Sequence, residues 1–380
     1  MAAVRQSWAA LAVALLCATA VLGQDFTFNY VATVTGNGLW GAVDQYIRPL
    51  NRPEAYVSGF NATDNTNNWA VAPAGSFLLW GTQPDISLSP DQGTTWWYVS
   101  GTTAGNSHID ARDVNPRFPG VPGVAIGNAG CSHRTTFNRF YLIGNNNGGT
   151  NQTQTMNGNT ATLNNVWFTW ASDDGSIWNQ VMSNASAYAM ASSRLTQGGS
   201  NTQNHVCLVD SLENVYDVGS ADTWKSVNLG VGWNAVTSTS YFPSRWGLSA
   251  AIYSPTATTD VMVVLGGTNN ATGALMNDVW TSTNGAQTWT LLTTAPWAPR
   301  QEPNFAINSN GVMVLYGGDC GGGWCGVSGD AWVSVNGGSQ WYMLNAALTN
   351  FTLTAMAFDN MGYLWLVGGQ EGGNGNNYNW

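Results

Sequence analysis

The stretch "NDVWTSTNGAQTWTLL", residues 277–292, reads as two strands joined by a tight turn. An aromatic and β-branched run ends near Ser282, a polar segment holding Asn284 and Gly285 follows, and a second run opens on Trp289. Asn-Gly between apolar runs is a strong local hairpin signal, because glycine enters the left-handed backbone region without a side-chain penalty. The chain writes nearly the same words again as "GDAWVSVNGGSQWYML", residues 329–344. Self-similarity at a regular interval points to a repeat architecture, in which the hairpin is a building block.

Aligned on the turn and the tryptophan after it, five copies emerge: "SPDQGTTWWYV" at 89–99, "ASDDGSIWNQV" at 171–181, "DVGSADTWKSV" at 217–227, "STNGAQTWTLL" at 282–292 and "SVNGGSQWYML" at 334–344. Their equivalent tryptophans are Trp96, Trp178, Trp224, Trp289 and Trp341. Most copies are preceded by an apolar strand ending in glycine, such as "DVMVVLGG" at 260–267 and "GVMVLYGG" at 311–318; "GYLWLVGG" at 362–369 is another such strand. An aromatic strand lies between that strand and the turn: "NNVWFTW", "ENVYDV", "NDVWTS" or "GDAWVS". Each unit is thus four short strands, rich in β-branched and aromatic residues and bounded by Gly, Asn, Asp and Pro. Four-stranded units at this spacing predict an all-β, six-bladed β-propeller of four-stranded antiparallel blades. The units run approximately 46–100, 112–183, 190–228, 241–293, 297–345 and 350–380, with the third the most degenerate. The sixth lacks a fourth strand, and the segment "QDFTFNYVATV", starting at Gln24, is expected to supply it and close the ring.

Two resemblances follow from these motifs. The order of strand, Gly-Gly, "NDVW" and Trp in units four and five, preceded by "PSR" and "APR", resembles kelch repeats. "S-P-D-Q-G-T-T-W" resembles the Asp-box, S-x-D-x-G-x-T-W, at every specified position. "ASDDGSIW" keeps Asp173, Gly175 and Trp178, units four and five carry Asn284 and Asn336 at the acid position, and unit three departs almost entirely. The resemblance covers nearly the whole chain after the leader and implies the propeller fold; both repeat types occur in enzymes and in non-enzymes. In the turn itself, the acid or amide accepts bonds from backbone N–H groups and the tryptophan packs between sheets, so the turn is expected to be structural.

Composition narrows the partners. Only 8% of the 380 residues are charged, hydrophobic residues make up 44%, and the chain holds 45 Gly and 20 Trp. Lys plus Arg is 11 against 21 Asp plus Glu, a net charge of −10, and Lys225 is the sole lysine. No basic cluster is present to neutralise successive phosphates or an anionic bilayer, so nucleic acid and membrane surfaces are poor partners. The opening "MAAVRQSWAALAVALLCATAVLGQ" has a basic residue, an apolar run over 8–22 and small residues before Gln24. It reads as a secretory leader over 1–23, ahead of one propeller domain over 24–380, with no transmembrane segment.

Without the leader, four cysteines remain: Cys131, Cys207, Cys320 and Cys325. In an oxidising compartment they are expected to form two disulfides, Cys320 with Cys325 across "GGGW" and Cys131 with Cys207. A zinc site is the alternative, but the spacing is wrong and no histidine lies near the 320–325 pair. Five N-x-S/T sequons, at Asn61, Asn151, Asn184, Asn270 and Asn350, are candidate glycan sites on surface loops.

No catalytic set and no cofactor or metal site is readable. His108, His133 and His205 show no ligand spacing, so the histidine and tyrosine set of kelch-containing copper oxidases has no counterpart, and no G-x-S-x-G context supports a serine nucleophile. The Asp-box resemblance also implies comparison with sialidases, which use three arginines, a Tyr/Glu pair and an acid. "YIRPL", holding Arg48, resembles their first arginine motif, but none of Glu54, Glu213, Glu302 and Glu371 sits with a tyrosine in a nucleophile setting. Arg52, Arg117, Arg194, Arg245 and Arg300 each fall shortly before the first strand of a unit. Two readings stand for them: a ring at the channel mouth that binds an anion, or bonds between neighbouring blade loops of the kind kelch units use.

The 144–165 segment, "GNNNGGTNQTQTMNGNTATLNN", is an insertion expected to be a solvated excursion or an adhesive surface. The functional expectation is a non-enzymatic secreted glycoprotein, an extracellular structural or adhesive module that binds proteins or glycans. Self-association into a surface or filament polymer is a version of it, since so sparsely charged a surface repels itself little. A sialidase-like or other glycan-acting hydrolase is the alternative.

Overall fold

The computed structural model describes residues 77–80, 86–89, 97–100, 126–132, 139–146, 152–156, 159–163, 167–172, 179–183, 185–186, 189–190, 205–256, 258–321, 330–344, 351–352, 355–358, 364–367 and 370–371. The regular structure among these residues is β-strand, with helical turns only at 185–186 and 189–190. The leader, the ring-closing segment from Gln24, Arg48, Arg52, Arg117, Arg194, Asn61, Asn151, Asn184, Asn350 and Cys325 lie outside them.

The strands form antiparallel sheets in chain order. The first holds β1 (Phe77–Trp80), β2 (Ile86–Ser89) and β3 (Trp97–Ser100). The second holds β4 (Ile126–Ser132), β5 (Phe140–Asn146), β8 (Trp167–Ser172) and β9 (Asn179–Gln180). Between β5 and β8 lies a separate hairpin, β6 (Gln152–Met156) with β7 (Asn159–Leu163), so the expected 144–165 excursion carries strand structure of its own. The third sheet is β10 (Val206–Val209), β11 (Val215–Val218), β12 (Thr223–Ser226) and β13 (Asn234–Ala235). A short ribbon of β14 (Arg245–Trp246) and β17 (Thr268–Asn269) adjoins the fourth sheet: β15 (Ser249–Thr256), β16 (Thr259–Leu265), β18 (Asp278–Ser282) and β19 (Thr290–Thr294). The fifth sheet is β20 (Asn304–Ile307), β21 (Met313–Tyr316), β22 (Ala331–Ser334) and β23 (Tyr342–Leu344). Last come the pairs β24 (Phe351–Thr352) with β27 (Gln370–Glu371), and β25 (Ala355–Phe358) with β26 (Leu364–Val367).

Successive sheets meet through their first strands: β4 lies beside β10, β10 beside β15, β15 beside β20 and β20 beside β25. Side chains alternate across a strand, so each sheet feeds two cores. On β10, Cys207 and Val209 join Tyr141, Ile143 and Trp167 of the second sheet. Val206 and Leu208 of the same strand turn the other way, onto Ile252, Met262 and Val264 of the fourth sheet. The next interface sets Ala251, Val263 and Leu265 against Phe305, Ile307, Met313 and Leu315. Burial on both faces explains why β10, β11, β20 and β21 are buried throughout, and why β10 and β21 read as continuous apolar runs.

The third unit corrects the sequence alignment. "ENVYDV" is not its aromatic third strand but contains β11, its second, and "TWKS" is the third. Trp224 is therefore not the turn tryptophan; that role falls to Trp233, and the unit extends to β13 rather than ending at 228. Superposed by position, Ser226–Trp233, Ser282–Trp289 and Ser334–Trp341 are one turn with one bonding scheme. The serine hydroxyl donates to the amide oxygen of Asn228, Asn284 or Asn336, at 3.0 Å in each case. The same hydroxyl accepts the N–H of Gly230, Ala286 or Gly338 at 2.9–3.0 Å. The asparagine oxygen then accepts the N–H of Gly232, Thr288 or Gln340 at 2.7, 3.0 and 2.9 Å. Leu229 (φ 59°) holds the left-handed position that Gly285 and Gly337 fill in the sister turns, which is why the motif was hidden there. All three tryptophans are buried, and Trp233 and Trp341 donate their indole N–H to the turn carbonyls of Gly230 and Gly338 at 2.9 Å.

One interlock joins this turn to the neighbouring sheet. The Tyr216 hydroxyl lies where a side chain at Gly285 would sit, 2.9 Å from that Cβ position, and donates to Asp210 at 3.0 Å. Burial first, and then the Asp210 charge, push the Tyr216 phenol far above its ordinary value. The folded state therefore keeps this proton where the unfolded chain, titrating near pH 10, gives it up. Stability from this group is complete below about pH 10 and falls as pH rises beyond it. Melting temperatures between pH 8 and 11 should drop steeply at the alkaline end in the native protein and less steeply in Tyr216→Phe; equal slopes would contradict the assignment.

Candidate functional site

Of the five arginines proposed for a channel mouth, Arg245 and Arg300 lie among the described residues. Both are fully buried. Arg245 donates through Nη1 and Nη2 to the two carboxylate oxygens of Asp278 at 2.6 and 2.9 Å. Its Nη1 also reaches the Gly266 carbonyl at 2.9 Å, and its Nε reaches the Pro243 carbonyl at 3.0 Å. Arg300 repeats the constellation: Asp330 at 2.6 and 2.7 Å, Gly317 at 2.9 Å and Ala298 at 2.9 Å. Each acid also receives an indole N–H, from Trp280 onto Asp278 and from Trp332 onto Asp330.

The arginine backbones reach into the preceding unit. Arg245 N–H donates to the Ser220 carbonyl at 3.1 Å. Arg300 N–H donates to the Met276 carbonyl at 3.1 Å, while its own carbonyl accepts Gly267 N–H at 2.8 Å. Each arginine thus holds its own sheet by the side chain and the previous sheet by the main chain. The bidentate fork and the carbonyl bonds use four of the five guanidinium donors. For these two residues the guanidinium is directed at its own unit rather than at solvent and only the main chain reaches the preceding unit, so each arginine is a clip between successive sheets.

The motif that sequence reading missed is the acid. Asp278 and Asp330 head the words "DVW" and "DAW", and Trp224 donates to Asp222 at 2.8 Å in the same local arrangement, "DTW". The pattern D-x-W-x-S-x-N over 222–228, 278–284 and 330–336 was legible in the sequence. Its arginine partner, more than two dozen residues upstream, was not.

A second polar chain runs through Gln301, next to Arg300. Thr268 donates to the Gln301 side-chain oxygen at 2.6 Å, and Gln301 Nε2 donates to Asp319 at 2.8 Å. Glu302 (φ 51°) stands two residues after Arg300, where the fourth unit has Gly247 (φ 64°) two residues after Arg245, and its N–H donates to the Gly247 carbonyl at 2.7 Å. Cys320, beside Asp319, is disulfide-bonded, as is the buried Cys207 on β10. His205 is buried, with Nδ1 2.6 Å from a carboxylate oxygen of the fully buried Asp217 and its ring edge-on to Trp167. It sits inside the core between the second and third sheets. Among the described residues no group of three or more His, Cys, Asp or Glu gathers as a metal centre, and no helix is long and apolar enough to cross a membrane.

No family model matches the chain. No curated protein matches it. Among solved structures, "Structure of YjhT" aligns over 87% of this chain and 95% of that chain, at 13% identity and a TM-score of 0.49.

Proposed function

We propose that the chain is a secreted kelch- and Asp-box-like β-propeller of six four-stranded blades, closed by its N-terminal strand, that acts as a non-enzymatic extracellular structural or adhesive module. The observation that carries this reading is the use of the repeated polar groups. Arg245, Arg300, Asn284 and Asn336, which recur from unit to unit, bond the scaffold to itself and present no reactive constellation to solvent. Successive four-stranded sheets meeting through their first strands are what a radial arrangement requires. Adjacency of β4 and β10 supports a Cys131–Cys207 disulfide across the second and third sheets, with Cys320–Cys325 closing the neighbouring loop. A surface of amides and hydroxyls with few charges suits protein or glycan partners, and self-association into a polymer, because little repulsion opposes contact.

The test is sedimentation and electron microscopy of the protein purified from the medium of a secreting host, alongside turnover on a panel of chromogenic glycosides. Concentration-dependent assembly or retention on glycan or matrix arrays, without turnover, is expected. Turnover that is lost in Arg48→Ala would replace this reading with a hydrolase.

A further inference from the structure

The turn between β17 and β18 carries the one sequon among the described residues, Asn270-Ala271-Thr272. It is an exposed turn held by hydrogen bonds. Asn269 closes it: its N–H donates to the Ala274 carbonyl and its carbonyl accepts Gly273 N–H, both at 2.8 Å. Its side-chain oxygen accepts the N–H groups of Ala271 and Thr272 at 2.8 and 3.1 Å. Residues 270–274 are all exposed, and the space a side chain would enter at Gly273 is open.

Neighbouring asparagines differ in what their side chains do. The Asn269 side chain holds the turn, and Asn277 donates to the carbonyls of Ala295 and Trp297 at 2.7 and 3.2 Å. Asn270 makes a single exposed bond, from Nδ2 to the Ser244 hydroxyl at 2.7 Å, and water can replace that partner at little cost. It is also the only one of the three followed at the second position by a hydroxyl residue, Thr272, as the N-linked acceptor signature requires.

We propose that Asn270 carries an N-linked oligosaccharide, an inference that rests on the reading of the chain as one that enters the secretory pathway. The donor is a polyprenyl diphosphate-linked oligosaccharide. Asn270 Nδ2 forms a bond to the anomeric carbon, the bond from that carbon to the diphosphate oxygen breaks, the amide gives up one proton and polyprenyl diphosphate leaves. Because Asn270 N–H is bonded to the Ser244 carbonyl at 2.9 Å, the sugar stands beside the buried Arg245 clip. It screens that end of the seam between the third and fourth sheets and directs partners to other surfaces.

The experiment is peptide mass spectrometry of the native chain secreted by a eukaryotic host, before and after enzymatic removal of N-glycans. The expected result is a glycan on the peptide containing Asn270, with conversion of that residue to Asp on release. Thr272→Ala should lose this one glycan and Thr272→Ser should keep it, which separates acceptor loss from misfolding. Secreted protein with Asn270 unmodified while another sequon is occupied overturns the site and leaves the secretory reading standing. A chain that keeps its leader and stays in the cytosol overturns the secretory reading itself.

Discussion

Arg245→Ala should destabilise the protein by about 3–5 kcal/mol, the range found when one partner of a buried ion pair is removed. The change strands Asp278, whose side chain is 18% exposed, without its cation. It also leaves the Gly266 and Pro243 carbonyls without their donor and takes the guanidinium off the Phe242 ring, which it overlies at 5.1 Å. Arg245→Lys should recover only a minor part. A lysine offers a point charge and cannot reproduce the bidentate fork with two further carbonyl bonds. Arg300→Ala should behave alike through Asp330. Denaturant unfolding followed by tryptophan fluorescence measures both. The same variants test the competing role of these positions. If Arg245→Ala keeps the native melting temperature but abolishes retention of an acidic glycan, the clip reading is wrong and the anion reading stands.

The strand runs were legible because burial on both faces leaves β10 and β21 wholly apolar, and leaves β11 and β20 with one polar residue each, Asp217 and Asn304. The fourth and fifth turns were legible because Asn284-Gly285 and Asn336-Gly337 spell out the left-handed step. The third turn was misread for a physical reason. Leu229 occupies that step without the glycine that marks it, and Trp224, inside β12, imitates the turn tryptophan. The serine at 226 and asparagine at 228, whose side chains bond as in the sister turns, were the signal available. The arginines were singled out by position alone. Whether a guanidinium faces a ligand or a carboxylate depends on a partner 33 or 30 residues away, and local pattern does not carry that. The Tyr216–Gly285 interlock is of the same kind, since it joins different units.

Trp289→Ala should cost about 3–5 kcal/mol, a loss set by the cavity and not by any hydrogen bond. Trp289 is 1% exposed and packs edge-on against Phe242 with ring centroids 5.1 Å apart, in the core shared by the third and fourth sheets. Its indole N–H has no partner, whereas the equivalent groups of Trp233 and Trp341 donate to their turns. That difference makes the substitution diagnostic. Trp289→Phe removes a buried, unsatisfied donor together with part of the ring, so the two effects oppose and the net loss should stay near 1–2 kcal/mol, as a rough estimate. Trp341→Phe, in the sister turn, gives up both volume and the bond to Gly338, and should cost about 1 kcal/mol more than Trp289→Phe. Calorimetric unfolding of the three variants orders them. A larger loss for Trp289→Phe than for Trp341→Phe would mean that the fourth turn is held by its indole after all. The repeated turn would then be a bonding device at that position, where the packing described above makes it a wedge between sheets.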